Sequence, residues 1–427
     1  MLPKKTKILL IYDMVCFPLQ NAATIAEYVM AFKKQLKYKV TAINARLGFP
    51  LFLRSMDFHV IILHYSTFGM LSASFLNYLS WSKAYKIAIF QDEFHNCQMR
   101  FNFLNRYNID CVYTLIDPQY INHVYGQYTG VKHIYTVLTG YVSNELIKNA
   151  ILYSRPDNER TIDIGYRARK LSYYMGKGAL EKYEIAEGFK NRLNAMPELV
   201  TDIETGESKR LYGKDWYRFM GNCKVCLGTM AGASIFDFDG SIQSGCQEIL
   251  KQRPDITYEE IYRQYLHQFE GNIPNRVISP RIFEAAAFRV CQILFKDEYQ
   301  GIVKPMVHYI PLEKDFSNFS EVMRLAQDSD VRRELTDNCY NDLIESEKYS
   351  YRQFIKYFDS NLNSDTRLVI HSHIIPMLLY LDVPVRWGYR IAMMCFWHAM
   401  TKIVGVDKDT LVGTVLRKIT GRERPQC

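Results

Sequence analysis

The sequence predicts an α/β protein made of two consecutive parallel-sheet units that face one another across a cleft. Three observations carry that expectation. Short, almost continuously apolar runs of strand length alternate with helical segments through residues 7–140, and the alternation restarts after residue 160. Such runs fit strands covered by helices on both faces of a sheet. Between the two series lies SRPDNER at 154–160, a polar, proline-containing stretch that makes the best domain boundary. Finally, 427 residues suffice for two separate cores.

The first series opens with the strand run KILLIY at 7–12, a polar loop and a helix over about residues 22–34. Strand runs recur as YKVTAIN at 38–44, FHVIILHYS at 58–66, YKIAIFQDE at 85–93, IDCVYTLI at 109–116 and KHIYTVLTG at 132–140. This is a Rossmann-like series. No G-x-G-x-x-G follows its first strand, which weakens a dinucleotide-oxidoreductase reading. In the second series TIDIGYR at 161–167 is a strand, 178–193 an amphipathic helix and ELVTDI at 198–203 a strand. WYRFMGNC at 216–223 reads as helix, KVCLGTM at 224–230 as strand and AGASIFDFDG at 231–240 as a glycine turn. A helix is expected over 254–269, with Asp255 or Thr257 placed to cap it and Glu259 and Glu260 near its positive end. Helical sequence returns at 320–344 and 349–362.

Composition narrows the class. Apolar residues make up 48% and charged residues 23%, the balance of a soluble globular protein. Aromatic residues reach 14% with 31 tyrosines, suited to half-buried amphipathic rings. The net charge of +8 is compatible with an anionic substrate or an anionic membrane surface. No Lys/Arg block or aromatic–basic repeat marks nucleic acid as the main partner. The ten cysteines share no recurring spacing; Cys223 and Cys226 form one C-x2-C without a second ligand pair. A zinc site needs about four ligands, so buried thiols and no metal are expected. The apolar run in MLPKKTKILLIYD is too short for a signal peptide, which predicts a reducing, cytosolic context.

The most informative stretch is 275–318, NRVISPRIFEAAAFRVCQILFKDEYQGIVKPMVHYIPLEKDFSN. It reads as loop, helix, buried strand, turn and a second strand entering an acidic turn. Pro280 suits the first helical position, where a missing N–H costs nothing. Glu284 follows on the opening of that helix, whose free amides point forward. Amides for phosphates and a carboxylate for ribose hydroxyls suit a nucleoside diphosphate. An ordinary αβ unit with a surface Glu is the competing reading.

SPRIFEAAAFRVCQILF with HYIPLEKDFSN resembles the donor-binding segment of GT-B glycosyltransferases, particularly family 4-like enzymes of the bacterial surface-polysaccharide type. With GTMAGASIFDFDG and GNIPNRVISPR included, the likeness covers about residues 161–362. In that family an E-x7-E motif ends at a FEA helix start, and its second Glu, matched by Glu284, holds the ribose. The first would stand at 276, where this chain has Arg276, so the donor sugar is not carried over. The resemblance implies a GT-B fold and sugar transfer from a nucleotide-sugar donor to a glycan or lipid-linked acceptor. It implies no cofactor beyond the donor, with basic side chains and helix dipoles rather than a metal meeting the leaving charge. Lys177 and Lys182 mirror the family's R-x4-K spacing, and either Arg167, ending TIDIGYR, or Lys177 stands for its Arg. Gly232, Ala233 and Ser234 offer amides after a strand. Ser279 and Arg281 flank Pro280. Asp237 and Asp239 read as turn formers rather than as the D-x-D of the GT-A fold. In the first domain, FQDEFHN at 90–96 follows a strand, where open α/β sheets place ligand groups. Asp92, Glu93 and His95 are the candidate acceptor-binding or general-base groups, with His64 as a second position.

The expected domains are an acceptor domain at 1–155, a donor domain at 156–345, a helix crossing back at 346–362 and an apolar/basic helical appendage at 363–427. The appendage's apolar runs, LVIHSHIIPMLLYL and IAMMCFWHAMT, fall short of the ~20 residues of a membrane span. Six Lys/Arg against three Asp/Glu follow over 402–427. The appendage is thus either an interfacial anchor on anionic lipid or a packed addition, and the expected location is cytoplasmic or peripheral on the inner face of the membrane. Two further readings stand beside the transferase: a GT-B sugar-nucleotide epimerase, and a non-catalytic nucleotide-binding or scaffold protein.

Overall fold

The computed structural model describes residues 6–15 and 23–365, so the appendage expected from 363 onward lies almost wholly outside the described residues. The first series forms β1 (Lys7–Tyr12), α1 (Ala23–Gln35), β2 (Lys39–Asn44), β3 (Val60–Leu63), α2 (Ala73–Trp81) and β4 (Tyr85–Ile89). It continues with α3 (Cys97–Arg106), β5 (Cys111–Thr114), β6 (His133–Thr136) and α4 (Asn144–Tyr153). Its six strands are parallel, in the order β2-β1-β3-β4-β5-β6. β3 and β5 are buried at every residue, as doubly covered parallel strands must be.

The second series forms β7 (Ile162–Arg167), α5 (Lys177–Leu193), β8 (Thr201–Glu204), α6 (Gly213–Asn222), β9 (Cys223–Gly228) and β10 (Ala231–Ala233). Then come α7 (Ser241–Gln252), α8 (Tyr258–Gln264), β11 (Asn275–Val277), α9 (Pro280–Ala287), β12 (Cys291–Phe295) and β13 (Ile310–Leu312). α10 (Phe319–Gln327), α11 (Ser329–Tyr340) and α12 (Tyr351–Asp365) complete the described chain. Five strands make a second parallel sheet, β13-β12-β9-β7-β8. The chain has the predicted α/β class with two Rossmann-like halves.

Three departures from the sequence reading have local causes. The turn read at 231–240 begins instead as β10, which pairs antiparallel with β11 in a small ribbon. Gly232 makes that pairing possible: its φ is +91°, and a Cβ there would sit 1.8 Å from the Asn275 carbonyl oxygen. The helix read over 254–269 is really α8 and a separate 3₁₀ turn, because Tyr265 leaves the helical region at φ −140°. Of its two candidate caps, Thr257 does the work, closing a capping box with Glu260. The helix read over 320–344 breaks at Asp328, whose side chain accepts from the amides of Asp330 and Val331 and so starts α11.

Two of the features that join the halves bear on the site. α12 returns to the first sheet, where Tyr351, Phe354, Phe358 and Leu362 share one core with Tyr28 and Phe32 of α1. The FDF segment after β10 reaches the first domain: the Asp237 amide donates to the Phe94 carbonyl (2.8 Å), and the Gln98 amide to Phe238 (3.2 Å). Phe238 lies against His123 and Tyr128, with ring centroids 5.9 and 5.7 Å apart.

Candidate functional site

The residues expected on the donor side centre on α9. Pro280 occupies its first turn, and Ser279 precedes it in extended conformation without capping the helix through its side chain. Glu284 is partly buried and accepts from the indole N–H of Trp216, on α6, at 3.0 Å. Burial pushes the Glu284 carboxyl above its ordinary range, while Arg281 and the Trp216 hydrogen bond pull it back. The Arg281 guanidinium lies 5.1 Å from the Trp216 ring centroid and donates to the Arg167 carbonyl. Arg167 is held inside the second domain, 2.7 Å from Asp202 and 4.3 Å from the Phe219 ring centroid.

Lys182, on α5, lies partly buried within reach of this arrangement. Its pKa falls to about 8, first through burial and then through Arg281, with Arg276 and Arg169 adding to the push; Asp92 of the first domain opposes it. Lys182 has no hydrogen-bond or ion-pair partner among the described residues. A partly buried ammonium with guanidinium groups in electrostatic reach is suited to an anion. Lys177 is placed otherwise: it is exposed, with its Nζ 4.1 Å from the Tyr262 ring centroid and its amide on Glu270.

Of the amides expected from the 232–234 segment, that of Ser234 is taken within the second domain. Ala233 is fully buried in the ribbon, and the Ser234 amide donates to the Met175 carbonyl at 3.0 Å. The Ser234 hydroxyl accepts from the Gly178 amide at 2.8 Å, so Ser234 braces the start of α5. Gly232 serves the close strand approach described above. Asp237 accepts from the amides of Gly240 and Gln243, and Asp239 from that of Ser241, so both shape the turn into α7.

Arg276 points into the second domain. It donates to the Gly178 carbonyl and pairs with Glu181 and with Asp297 (3.2 Å), while Lys314 lies 2.7 Å from Glu181 and 3.1 Å from Asp297. Two cations and two carboxylates thus neutralise one another.

On the first domain, the loop after β4 carries the three acceptor-side candidates in three different settings. Asp92 is exposed, with φ +51°, and its carbonyl accepts from Arg100 at 2.9 Å. Glu93 is buried: Thr114 (2.5 Å), Tyr125 and the Leu115 amide (2.8 Å) occupy its carboxylate, which therefore does not meet the cleft. His95 is partly buried beside Asn96 (2.7 Å), with its pKa lowered by burial and Arg100. His64 is a core histidine at the end of β3, bonded to Ser66 at 2.8 Å and held neutral by burial at a pKa of about 3. Arg100 also lies over Phe68, 4.7 Å away, on the wall of a cavity of about 330 Å³. Leu71, Leu76, Met99 and Phe103 make that cavity mainly apolar, and Arg106 stands among its lining residues.

Trp216 and Glu27 belong to this region without any local sequence signal. Glu27, on α1, accepts from the Ser143 hydroxyl at 2.6 Å, and burial pushes its pKa up to about 7, with Glu284 contributing. Among the described residues no group of three or more His, Cys, Asp and Glu side chains is arranged to hold a metal ion.

No family model matches the chain, and no curated protein matches it in sequence. Its fold is similar to that of an α-glucosyltransferase solved with UDP-glucose and DNA containing an abasic site, at TM-score 0.50 and 9% identity over 85% of this chain and 100% of that one. A sucrose-phosphate synthase from Thermosynechococcus elongatus gives 0.46 at 10% identity, over 85% and 100% of the two chains. Anabaena HepE in complex with UDP gives 0.45 at 11% identity, over 84% and 100%. At such identities the likeness speaks to fold, and the fold is GT-B: two parallel sheets of six and five strands in facing Rossmann-like halves.

Proposed function

We propose that the chain is a glycosyltransferase that moves a sugar from a nucleotide-sugar donor to an acceptor hydroxyl, in cell-surface polysaccharide synthesis of the family 4-like kind. The observation that carries this reading is Lys182: a partly buried cation, unpaired among the described residues, in the electrostatic reach of Arg281 and of Asp92 from the other domain. In the proposed reaction the bond from the sugar C1 to the diphosphate oxygen breaks and a bond from C1 to the acceptor oxygen forms. Lys182, Arg281 and the amides opening α9 meet the charge left on the diphosphate, in place of a metal. Glu284 takes the ribose hydroxyls, and Ser279 lies beside the phosphates. Asp92, the exposed one of the three candidates Asp92, Glu93 and His95, takes the acceptor proton. The α-glucosyltransferase of similar fold was solved with UDP-glucose, which makes UDP the first nucleotide to try. The acceptor lies in the half spanning 1–155 and the donor in 156–345, with 346–362 as brace. The apolar cavity beside Phe68 suits a lipid-linked acceptor better than a bare glycan. No helix among the described residues is long and apolar enough to cross a membrane, so the proposed place at the inner membrane face rests on the segment after 365.

Thermal-shift measurements with UDP, GDP and their sugar conjugates test the reading. A ligand at 100 times its Kd stabilises by about 2.7 kcal/mol, enough to see clearly. UDP should raise the melting temperature of the full chain and do so far less in Lys182→Ala and Glu284→Ala. If no nucleotide stabilises the protein, the proposal fails. Nucleotide binding without transfer to any acceptor favours the scaffold reading, which the commitment of Arg276 to Glu181 and Asp297 permits.

A further inference from the structure

Trp216 packs against the core beneath α9 and touches both Glu284 and Arg281 of that helix. Its indole N–H bonds one carboxylate oxygen of Glu284 at 3.0 Å, and no bond to the other oxygen occurs among the described residues. Its ring face carries the Arg281 guanidinium at 5.1 Å. Arg281 is itself tied back to the Arg167 carbonyl, and Arg167 lies over Phe219, three residues further along the same helix. α6 therefore presents two rings to two arginines and one N–H to one carboxylate. A single hydrogen bond from a rigid indole leaves a carboxylate one oriented free edge.

We propose that Trp216 is a positioning residue for the nucleotide: its N–H aims the free edge of Glu284 at the ribose diol, while its ring seats Arg281 beside the diphosphate. This rests on the donor-site reading above. The two roles are separable by chemistry. Phenylalanine keeps a ring under Arg281 and deletes only the N–H. Alanine deletes both.

The experiment measures binding to the full chain by calorimetry, with UDP, 2′,3′-dideoxyuridine diphosphate and inorganic pyrophosphate as probes. Trp216→Phe should weaken UDP about fivefold, the worth of one hydrogen bond to a carboxylate. It should leave dideoxyuridine diphosphate and pyrophosphate unchanged, because neither has the hydroxyls that Glu284 would hold. Trp216→Ala should weaken all three. A purely structural tryptophan would instead weaken UDP and its dideoxy analogue equally in Trp216→Phe, and that result overturns the inference, as does no change for UDP. Glu284→Ala keeps the two failures apart. If it binds UDP like the wild type, the donor reading itself is wrong. If it loses affinity while Trp216→Phe does not, only the role of Trp216 is.

Discussion

Lys182 shows how position sets chemistry at the scale of one residue. An ordinary lysine keeps its proton to about 10.5, but this one releases it at about 8. Lys182→Ala should cost UDP about tenfold or more in affinity, as the loss of a charge-assisted contact does. Wild-type affinity should also fall as pH rises through about 8, where the ammonium discharges, and Lys182→Arg should remove that decline. Calorimetry across pH 7–9.5 checks both, and a flat wild-type profile would contradict them. Glu27 has the opposite sign. Its folded pKa is about 7 against an ordinary 4.5, so between those values the folded chain holds a proton that the unfolded chain has lost. Stability therefore falls as pH rises through that window. Glu27→Gln, which cannot ionise, should flatten the decline in melting temperature between those limits. Neither Glu27 nor Trp216 was readable in sequence, since each acts through a partner 116 or 68 residues away. Glu284 was singled out because Pro280 and the residues after it form a local pattern. Glu93 was read as facing the cleft because the residue after a strand usually does. The left-handed φ of Asp92 turns the chain so that Glu93 goes inward instead.

Elements are where the sequence was most legible. Continuous apolar runs gave the strands of both parallel sheets, since doubly covered strands need no alternation. What escaped were features decided by tertiary contact: the β10–β11 ribbon, three residues a side, and the break after α8. Arg276 belongs to that group. Its position in the motif suggests donor contact, yet the structure spends it on joining β11 to α5 through Gly178 and Glu181. Its side chain is 14% exposed and that of Glu181 9%. Removing one partner of a mostly buried pair leaves the other uncompensated, so Arg276→Ala should destabilise by about 3 kcal/mol. Arg276→Met with Glu181→Met should destabilise less than the single change, because no lone charge then remains; chemical denaturation of the three proteins compares them. Equal losses in the single and double variants would show that the pair is not coupled.

At the scale of the whole molecule, α12 returns from the second half of the chain to pack on the first. Its last turns are fastened to the first domain. Asp359 pairs with Lys37 at 2.7 Å, and Tyr38 donates to Asn363 at 3.0 Å. Asp365 receives hydroxyl bonds from Tyr135 (2.7 Å) and Tyr85 (3.2 Å), with His133 at 3.1 Å. Tyr85 and His133 are the first residues of β4 and β6, and Tyr135 lies two residues further along β6, so Asp365 sits toward the end of the sheet opposite the loop that carries Asp92. Asp365, the last described residue, therefore lies on the side of the first domain remote from the loop that carries Asp92. A chain ending at Asp365 should keep the UDP affinity and melting temperature of the full protein. A chain ending at Phe358 loses the buried Leu362 together with these bonds, and should unfold at a clearly lower temperature, by about 3–5 kcal/mol of stability. If the segment after 365 is the membrane anchor, co-sedimentation with anionic vesicles should disappear in the chain ending at Asp365 while UDP binding persists. Loss of UDP binding in that chain would instead make the segment part of the site, and the separation of anchor from catalysis would be wrong.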